Sequence, residues 1–349
     1  MTEGFTKSKL DRCISCGYCL PACPTYQLTG AEESSPRGRI TLMRAVQDGR
    51  LPKENLLAES GFCLGCRACE PVCPAGVEYG VLLEEMREMV WQGKNRPFIV
   101  RGLLTLVKTT WRVRFIGLLS PMARNRNADA DLHLMLGCFE RALFPKVSRT
   151  LSHIAPEVSI SKKQGCCGAL HAHNGELGRG TEMAKALGEN LDGTILTTAG
   201  GCAAHLSSVL GKERVREFSE WWFSKSVELH KIEKDGVVIR VGFQDSCHLR
   251  NGLGVFKEPR AILSQIGEYI EIPNAGGCCG AAGSYSLLQR KNSQKILAPK
   301  IAAIRDLKLD YVVSVNPGCT RQLAKGLKRA KVRTKVVHIS ELVAKAKAC

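Results

Sequence analysis

CISCGYCLPACP, residues 13–24, and CLGCRACEPVCP, residues 63–74, decide how this chain folds. Each reads Cys-x2-Cys-x2-Cys-x3-Cys-Pro, with the same steps in the same order. One such run would be a curiosity. Two of them, separated by residues 25–62, which include SSPRGRITLMRAVQDGRLP (residues 34–52), make a unit whose fold must serve the cysteines.

This is the run by which bacterial ferredoxins hold two [4Fe–4S] clusters. Three thiolates on a tight turn each reach one iron of a cube, and the fourth cysteine has turned away to serve the other cube. The expected ligand sets are therefore Cys13, Cys16, Cys19 and Cys73 for one cluster, and Cys63, Cys66, Cys69 and Cys23 for the second. Pro24 and Pro74 end each loop. Gly17 and Gly65 let the backbone pass close to a cluster, where N–H donors tune its potential. Zinc is the competing reading, because structural zinc sites also use Cys-x2-Cys pairs. A third evenly spaced cysteine followed by Cys-Pro does not suit a four-ligand zinc site. Between the ladders, residues 39–49 read as a short helix with Ile40, Met43 and Val46 or Ala45 on one face. Arg37 and Arg39 stand where they either offset the charge of thiolate-ligated cubes or lie on the surface.

The remaining composition narrows the class. A chain of 349 residues with 44% apolar content has room for two or three domains. Its 17 cysteines are clustered and odd in number, and Met1 to Leu10 lacks the apolar core of a secretory leader. Both features point to a reducing cytosol and to metal rather than disulfides. The net charge of +17 favours an anionic partner: nucleic acid, an acidic protein or an anionic membrane. Nucleic-acid binding needs base-stacking aromatics or a binding module, and the chain shows neither, so no nucleic-acid partner is expected. PFIVRGLLTLVKTTWRVRFIGLLSP, residues 97–121, is apolar but interrupted by Arg101, Lys108, Arg112 and Arg114. It does not read as a membrane span. It reads as a basic amphipathic helix that lies on a membrane surface, or packs on the protein or a partner subunit.

From about Leu132 the sequence repeats itself. LHLMLGCF, QGCCGAL and TILTTAGGCAAHL in one half answer to VGFQDSCHL, GGCCGAAG and YVVSVNPGCTRQL in the other. Cys138 matches Cys247, Cys166 and Cys167 match Cys278 and Cys279, and Cys202 matches Cys319; His205 falls opposite Gln322. The isolated cysteines follow β-like runs at 132–136, 195–198, 237–243 and 311–315, while 178–191 and 286–307 read as helices. Strands alternating with helices predict parallel sheets, and ligands sit at the ends of such strands. The fold class expected is α+β: a mostly helical ferredoxin-type two-cluster domain, then two duplicated α/β lobes. The boundaries read as 1–92, a basic amphipathic linker over 93–128, and lobes over 129–235 and 236–349. A vicinal pair in each half, with two more cysteines, offers a further iron–sulfur site on Cys138, Cys166, Cys167 and Cys202 with His205, or on Cys247, Cys278, Cys279 and Cys319. Small buried cysteines that merely pack are the plainer alternative. His248, His171 and His173 read as structural histidines or as proton donors.

These motifs carry a resemblance. The ladders, SPRGRITLMRA, CRACEPVCPAGVEYG, DSCHL, GGCCGAAGSYSLL and NPGC resemble the iron–sulfur subunit of glycolate oxidase, also called glycolate dehydrogenase. The wider superfamily includes lactate-utilisation proteins, heterodisulfide reductase subunits and the anaerobic glycerol-3-phosphate dehydrogenase C subunit, all with two CCG cysteine-rich domains. The resemblance implies an electron-transfer subunit of an oxidoreductase complex. FAD-containing partner subunits oxidise glycolate or another 2-hydroxy acid, and this chain passes the electrons to a quinone or another acceptor. It implies a cytoplasmic protein, with room for a peripheral contact on the inner face of the cell membrane. No flavin is expected on this chain, because no Gly-x-Gly-x-x-Gly opens a βαβ unit and GLGVF at Gly252 lacks the third glycine. No catalytic residue is assigned. The alternative is a heterodisulfide reductase-like subunit that reduces a disulfide at a CCG-domain cluster. Its relatives carry a fifth cysteine in each lobe, where this chain has His205 and Gln322.

Overall fold

A computed structural model of the chain describes residues 4–109, 111–112, 115, 131–161 and 164–347. The architecture is α+β: a mostly helical N-terminal unit precedes two α/β lobes. In the N-terminal unit, Ser35 starts the helix Pro36–Gln47 by accepting a hydrogen bond from the Gly38 N–H. The proline at its first turn has its φ already set for a helix. This cap lies upstream of the apolar periodicity, which is why the helix begins before Arg39. Its Ile40 and Met43 form one small core with Leu82, Leu83 and Met86 of the helix Tyr79–Val90. The two cysteine loops close over that core, and Cys63 and Cys69 belong to it.

The first lobe is built on three parallel strands in sequence order, β1 (Leu132–Leu134), β2 (Thr194–Thr197) and β3 (Val215–Glu217). Next come β4 (Glu233–Lys234) and β5 (Val237–Val238), an antiparallel hairpin. The second lobe has β6 (Arg240–Gln244), β7 (Glu268–Tyr269), β8 (Tyr311–Ser314) and β9 (Lys335–Val337), all parallel, in the order β7-β6-β8-β9. The run 237–243, which reads as one strand in sequence, is split. Asp235 and Gly236 both adopt left-handed φ, 55° and 76°. That two-residue turn folds Val237 and Val238 back on Glu233 and Lys234, and the sheet strand starts afresh at Arg240. The expected helix over 286–307 is likewise divided into Tyr285–Leu288 and Arg290–Leu307. Its counterpart in the first lobe is Leu177–Asn190.

One hydrophobic layer runs beneath both sheets: Leu134, Leu196, Phe218 and Trp222 pack in the same core as Val241, Phe243, Val313 and Ile339. The lobes also meet reciprocally. The helix Gly200–Leu210 packs on the turn Leu249–Leu253, and the equivalent helix Pro317–Arg329 packs on Cys138–Leu143. Between the N-terminal unit and the lobes, the helix Phe98–Leu106 turns Val100 and Leu104 inward and leaves Phe98 and Leu106 exposed. Trp111 and Phe115 are exposed beyond it. The rest of the expected amphipathic segment, Arg114 included, lies outside the described residues. Among the described residues, no helix is long and apolar enough to cross a membrane.

Candidate metal centres

The shape of each cysteine loop comes from two left-handed residues. Ser15 and Gly17 in the first loop have φ of 55° and 92°, and Gly65 and Arg67 in the second have 63° and 57°. Ser15 matches Gly65 and Gly17 matches Arg67 along the ladders, so both loops turn twice at the same places. Glycine takes this conformation without penalty, whereas Ser15 and Arg67 do so only because the surroundings hold them. Only the two glycines announce the geometry in the sequence.

Two cavities lie inside the loops. One, about 410 Å³ of space open to solvent, is lined by Cys13, Cys16, Cys19, Cys69 and Cys73. The other, of about 290 Å³, is lined by Cys23, Cys63, Cys66 and Cys69. Each cavity thus gathers three cysteines of one loop and the last cysteine of the other, and Cys69 borders both. Among the described residues, no three His, Cys, Asp or Glu side chains converge closely enough to grip a single metal ion. The quartets surround a volume rather than a point, which fits a four-iron cube better than a zinc ion. Burial pushes the Cys69 thiol well up, with Cys66 and Cys63 adding to it, and burial raises Cys23 and Cys19. Thiolates crowded this way need positive charge among them, which cluster iron supplies.

The protein adds cations of its own, in matched pairs. Arg37 borders the first cavity and Arg39 the second. The Arg37 Nη1 donates to the Ser15 carbonyl at 3.1 Å, and its fork is held by Glu32. Arg39 is fully buried, donates to Thr25 Oγ1 at 3.2 Å and pairs with Glu59 at 2.8 Å. Arg44 and Arg87 occupy the same place in their respective helices, nine residues in. Arg44 donates to the Cys13 carbonyl at 2.7 Å, and Arg87 to the Cys63 carbonyl at 2.6 Å. Each therefore ties the first cysteine of a ladder to the helix that follows it. Arg87 also donates to Ser60 O at 3.0 Å and to His173 O, in the first lobe, at 2.8 Å. Nothing in the sequence singles out either residue.

The lobes bring their own cysteines together at the ends of parallel strands. In the first, Cys166 lies 3.7 Å from Cys138, and Cys167 lies 3.2 Å from Cys202, sulfur to sulfur. In the second, Cys279 and Cys319 are 2.9 Å apart, and Cys278 hydrogen-bonds Cys247. His205 and Gln322 are engaged elsewhere. His205 Nε2 lies 3.2 Å from Gly180 O, and Gln322 Nε2 donates to Ser293 Oγ at 2.8 Å.

The second lobe also abuts the N-terminal unit. The Cys66 thiol hydrogen-bonds that of Cys278, and this contact together with burial pushes it well up. Leu64, Cys66, Cys278 and Tyr285 form one small apolar cluster. Asn251 Nδ2 donates to the Cys66 carbonyl at 2.9 Å. Beside this junction His173 stacks on His248 with ring centres 4.9 Å apart, and its Nδ1 lies 2.7 Å from Glu84 Oε1. Burial, with His173 next to it, pushes His248 down to about 3, so this imidazole is neutral at physiological pH. His171 Nδ1 lies 2.5 Å from Glu176 Oε2.

Residues 9–77 match the 4Fe–4S dicluster domain family, and residues 133–207 and 241–324 match the cysteine-rich domain family. The chain is 33% identical to a probable glycolate oxidase iron–sulfur subunit of Bacillus subtilis, over 99% of this chain and 95% of that protein. It is 29% identical to the glycolate oxidase iron–sulfur subunit of Escherichia coli, over 97% and 94%. It is 27% identical to one of the subunits of the CoM/CoB fumarate reductase of Methanothermobacter marburgensis, over 96% of this chain and 72% of that one.

Proposed function

Because the chain belongs to the family of glycolate oxidase iron–sulfur subunits, we propose that it carries electrons from FAD-containing partner subunits, which oxidise glycolate or a related 2-hydroxy acid, to a quinone or another acceptor. It holds two [4Fe–4S] clusters, which supply one-electron redox chemistry when bound. Cys13, Cys16, Cys19 and Cys73 hold one, and Cys63, Cys66, Cys69 and Cys23 the other. The cavities carry this reading: each is ringed by three cysteines of one loop and includes the last cysteine of the other, with Cys69 shared between them.

The two sites differ in what surrounds them. Cys16 is exposed, flanked by Ile14 and Tyr18, each 68% exposed. That apolar surface admits a partner to the outer site. Cys66 is buried against Cys278, so the inner site communicates with the second lobe. Arg37 and Arg39 offset thiolate charge, one at each site. We assign a third iron–sulfur centre to Cys247, Cys278, Cys279 and Cys319, on the strength of that contact. Disulfide reduction is the weaker reading, since His205 and Gln322 stand where a fifth cysteine would and are tied to Gly180 and Ser293.

The test is anaerobic stopped-flow mixing of the assembled complex with glycolate. Absorbance of this subunit's clusters should bleach after partner flavin reduction. Clusters that stay oxidised while the flavin is reduced would refute electron transfer through this chain.

We place the protein on the cytoplasmic side, with the Phe98–Leu106 helix touching the membrane surface. Phe98, Leu106, Trp111 and Phe115 are exposed, with the basic Arg101, Lys108 and Arg112 among them. Vesicles containing anionic lipid should co-sediment the protein and blue-shift Trp emission, an effect abolished by Trp111→Ala with Phe98→Ala and weakened as salt rises. Equal binding to neutral vesicles, or none to either, would assign this face to a partner subunit instead.

A further inference from the structure

The two lobes repeat one another around their cysteines but not around their charges. A shared close approach fixes the register of their long helices. A Cβ on Gly168 would collide with the Gly180 carbonyl, and one on Gly280 would meet the Ser293 carbonyl at 2.7 Å. His205 and Gln322, themselves equivalent, reach for the same pair. With Gly180 matched to Ser293, Lys300 falls opposite Leu187. Both are buried.

Lys300 is 4% exposed, and its Nζ donates to Asn274 O at 2.7 Å. Asn274 lies four residues before Cys278, and the helix that carries Lys300 also donates Ser293 Oγ to Gly280 O at 2.8 Å, so the ammonium sits against the loop that carries Cys278 and Cys279. Burial pulls its pKa down, and Cys279, Cys278, Cys319 and Asp245 act in the opposite direction. Two further differences set the lobes apart. Asp245, buried and gripped by Arg250 and Arg260 at 2.8 Å each, stands where the first lobe has Leu136. His248 stands where it has Phe139. The first lobe's thiols instead have His171 nearby, itself bound to Glu176. Burying an ammonium is costly unless negative charge lies beside it. Metal-bound thiolates on Cys278, Cys279 and Cys319 would provide that charge.

We propose that Lys300 is a positioning residue for a redox centre on Cys247, Cys278, Cys279 and Cys319, its charge raising that centre's reduction potential so that it accepts one electron from the inner cluster across the Cys66–Cys278 contact. The inner cluster loses the electron and the second-lobe centre gains it, with no bond made or broken. The inference rests on the assignment of the third centre to this lobe.

The experiment is an EPR-monitored redox titration with iron analysis, on the full chain assembled with its partners, for wild type, Lys300→Met, Lys300→Arg and Lys295→Met. Methionine keeps the volume of the buried stem and removes the charge. Iron should be unchanged, and the midpoint of the second-lobe signal should fall in Lys300→Met by ~59 mV or more, about a tenfold shift in equilibrium. Arginine should restore it, and the exposed Lys295→Met should leave it alone. If the methionine variant loses iron, Lys300→Gln, which keeps a donor for Asn274 O, takes its place. An unmoved midpoint, or an equal shift in Lys295→Met, overturns the role of Lys300 while the third centre stands. Wild-type protein with only about eight irons overturns the centre and the role together. Iron lost from Cys166→Ser but kept in Cys278→Ser moves the centre to the first lobe and overturns the role.

Discussion

Serine at Cys66 should remove about four irons, one [4Fe–4S] cluster's worth, and cut electron delivery to the acceptor by roughly 100-fold or more, beyond the 10–100-fold loss typical of a residue one shell further out. Reduction of the partner flavin by substrate should continue at the wild-type rate. Cys66 has two jobs. It lines the inner cavity with Cys23, Cys63 and Cys69, and its thiol is the contact with Cys278 of the second lobe. The change therefore removes a ligand and opens the junction together. Cys16→Ser is the informative comparison. Cys16 is exposed, so its serine hydroxyl finds water and the Cys66–Cys278 contact is untouched. Iron analysis and acceptor-linked turnover, measured side by side, check both. Full iron and full turnover in Cys66→Ser would overturn the ligand assignment.

Replacing Arg87 with methionine should destabilise the protein by about 3–5 kcal/mol, the range for breaking a buried charged network. Its guanidinium donates to the carbonyls of Cys63, Ser60 and His173, at 2.6, 3.0 and 2.8 Å. Methionine fills the space and returns none of these bonds, and each carbonyl left buried without a partner costs about 1–3 kcal/mol. The injury falls on two levels. The second cysteine loop loses its anchor to the helix Tyr79–Val90, and the N-terminal unit loses a tie to the first lobe. Denaturant unfolding followed by intrinsic fluorescence measures the loss. Arg101→Met, on an exposed helix face, should cost less than about 0.5 kcal/mol. A similarly small change at Arg87 would mean that the loop is held by its metal alone.

What the sequence made legible follows from which interactions write themselves as spacing. The ladders, the vicinal cysteines and the strand-then-cysteine repeats are local patterns, and the α+β architecture with two parallel-sheeted lobes could be read from them. The junction could not. Cys66 and Cys278 are far apart in the chain, and nothing in either segment says they touch. Arg44 and Arg87 hid for a different reason: an arginine that donates to backbone carbonyls leaves no partner side chain to find. Ser15 and Arg67 show the limit of reading glycines, since tertiary contacts hold them in the conformation that Gly17 and Gly65 adopt freely. The split of 237–243 was legible in principle, because Asp235–Gly236 is a strong hairpin signal. The continuous apolar run beyond it masked that turn.

The reciprocal packing of the lobes has a consequence of another kind. A helix of each seats on the cysteine-bearing turn of the other, which is the contact rule of an isologous two-fold dimer. The lobes amount to such a dimer enclosed in one chain, its halves held together by covalent linkage at high effective concentration. A true homodimer must carry every substitution twice. Here one half carries Lys300 and Asp245 where the other has Leu187 and Leu136, so a single chain can make its two halves unequal while both still share the packing that joins them.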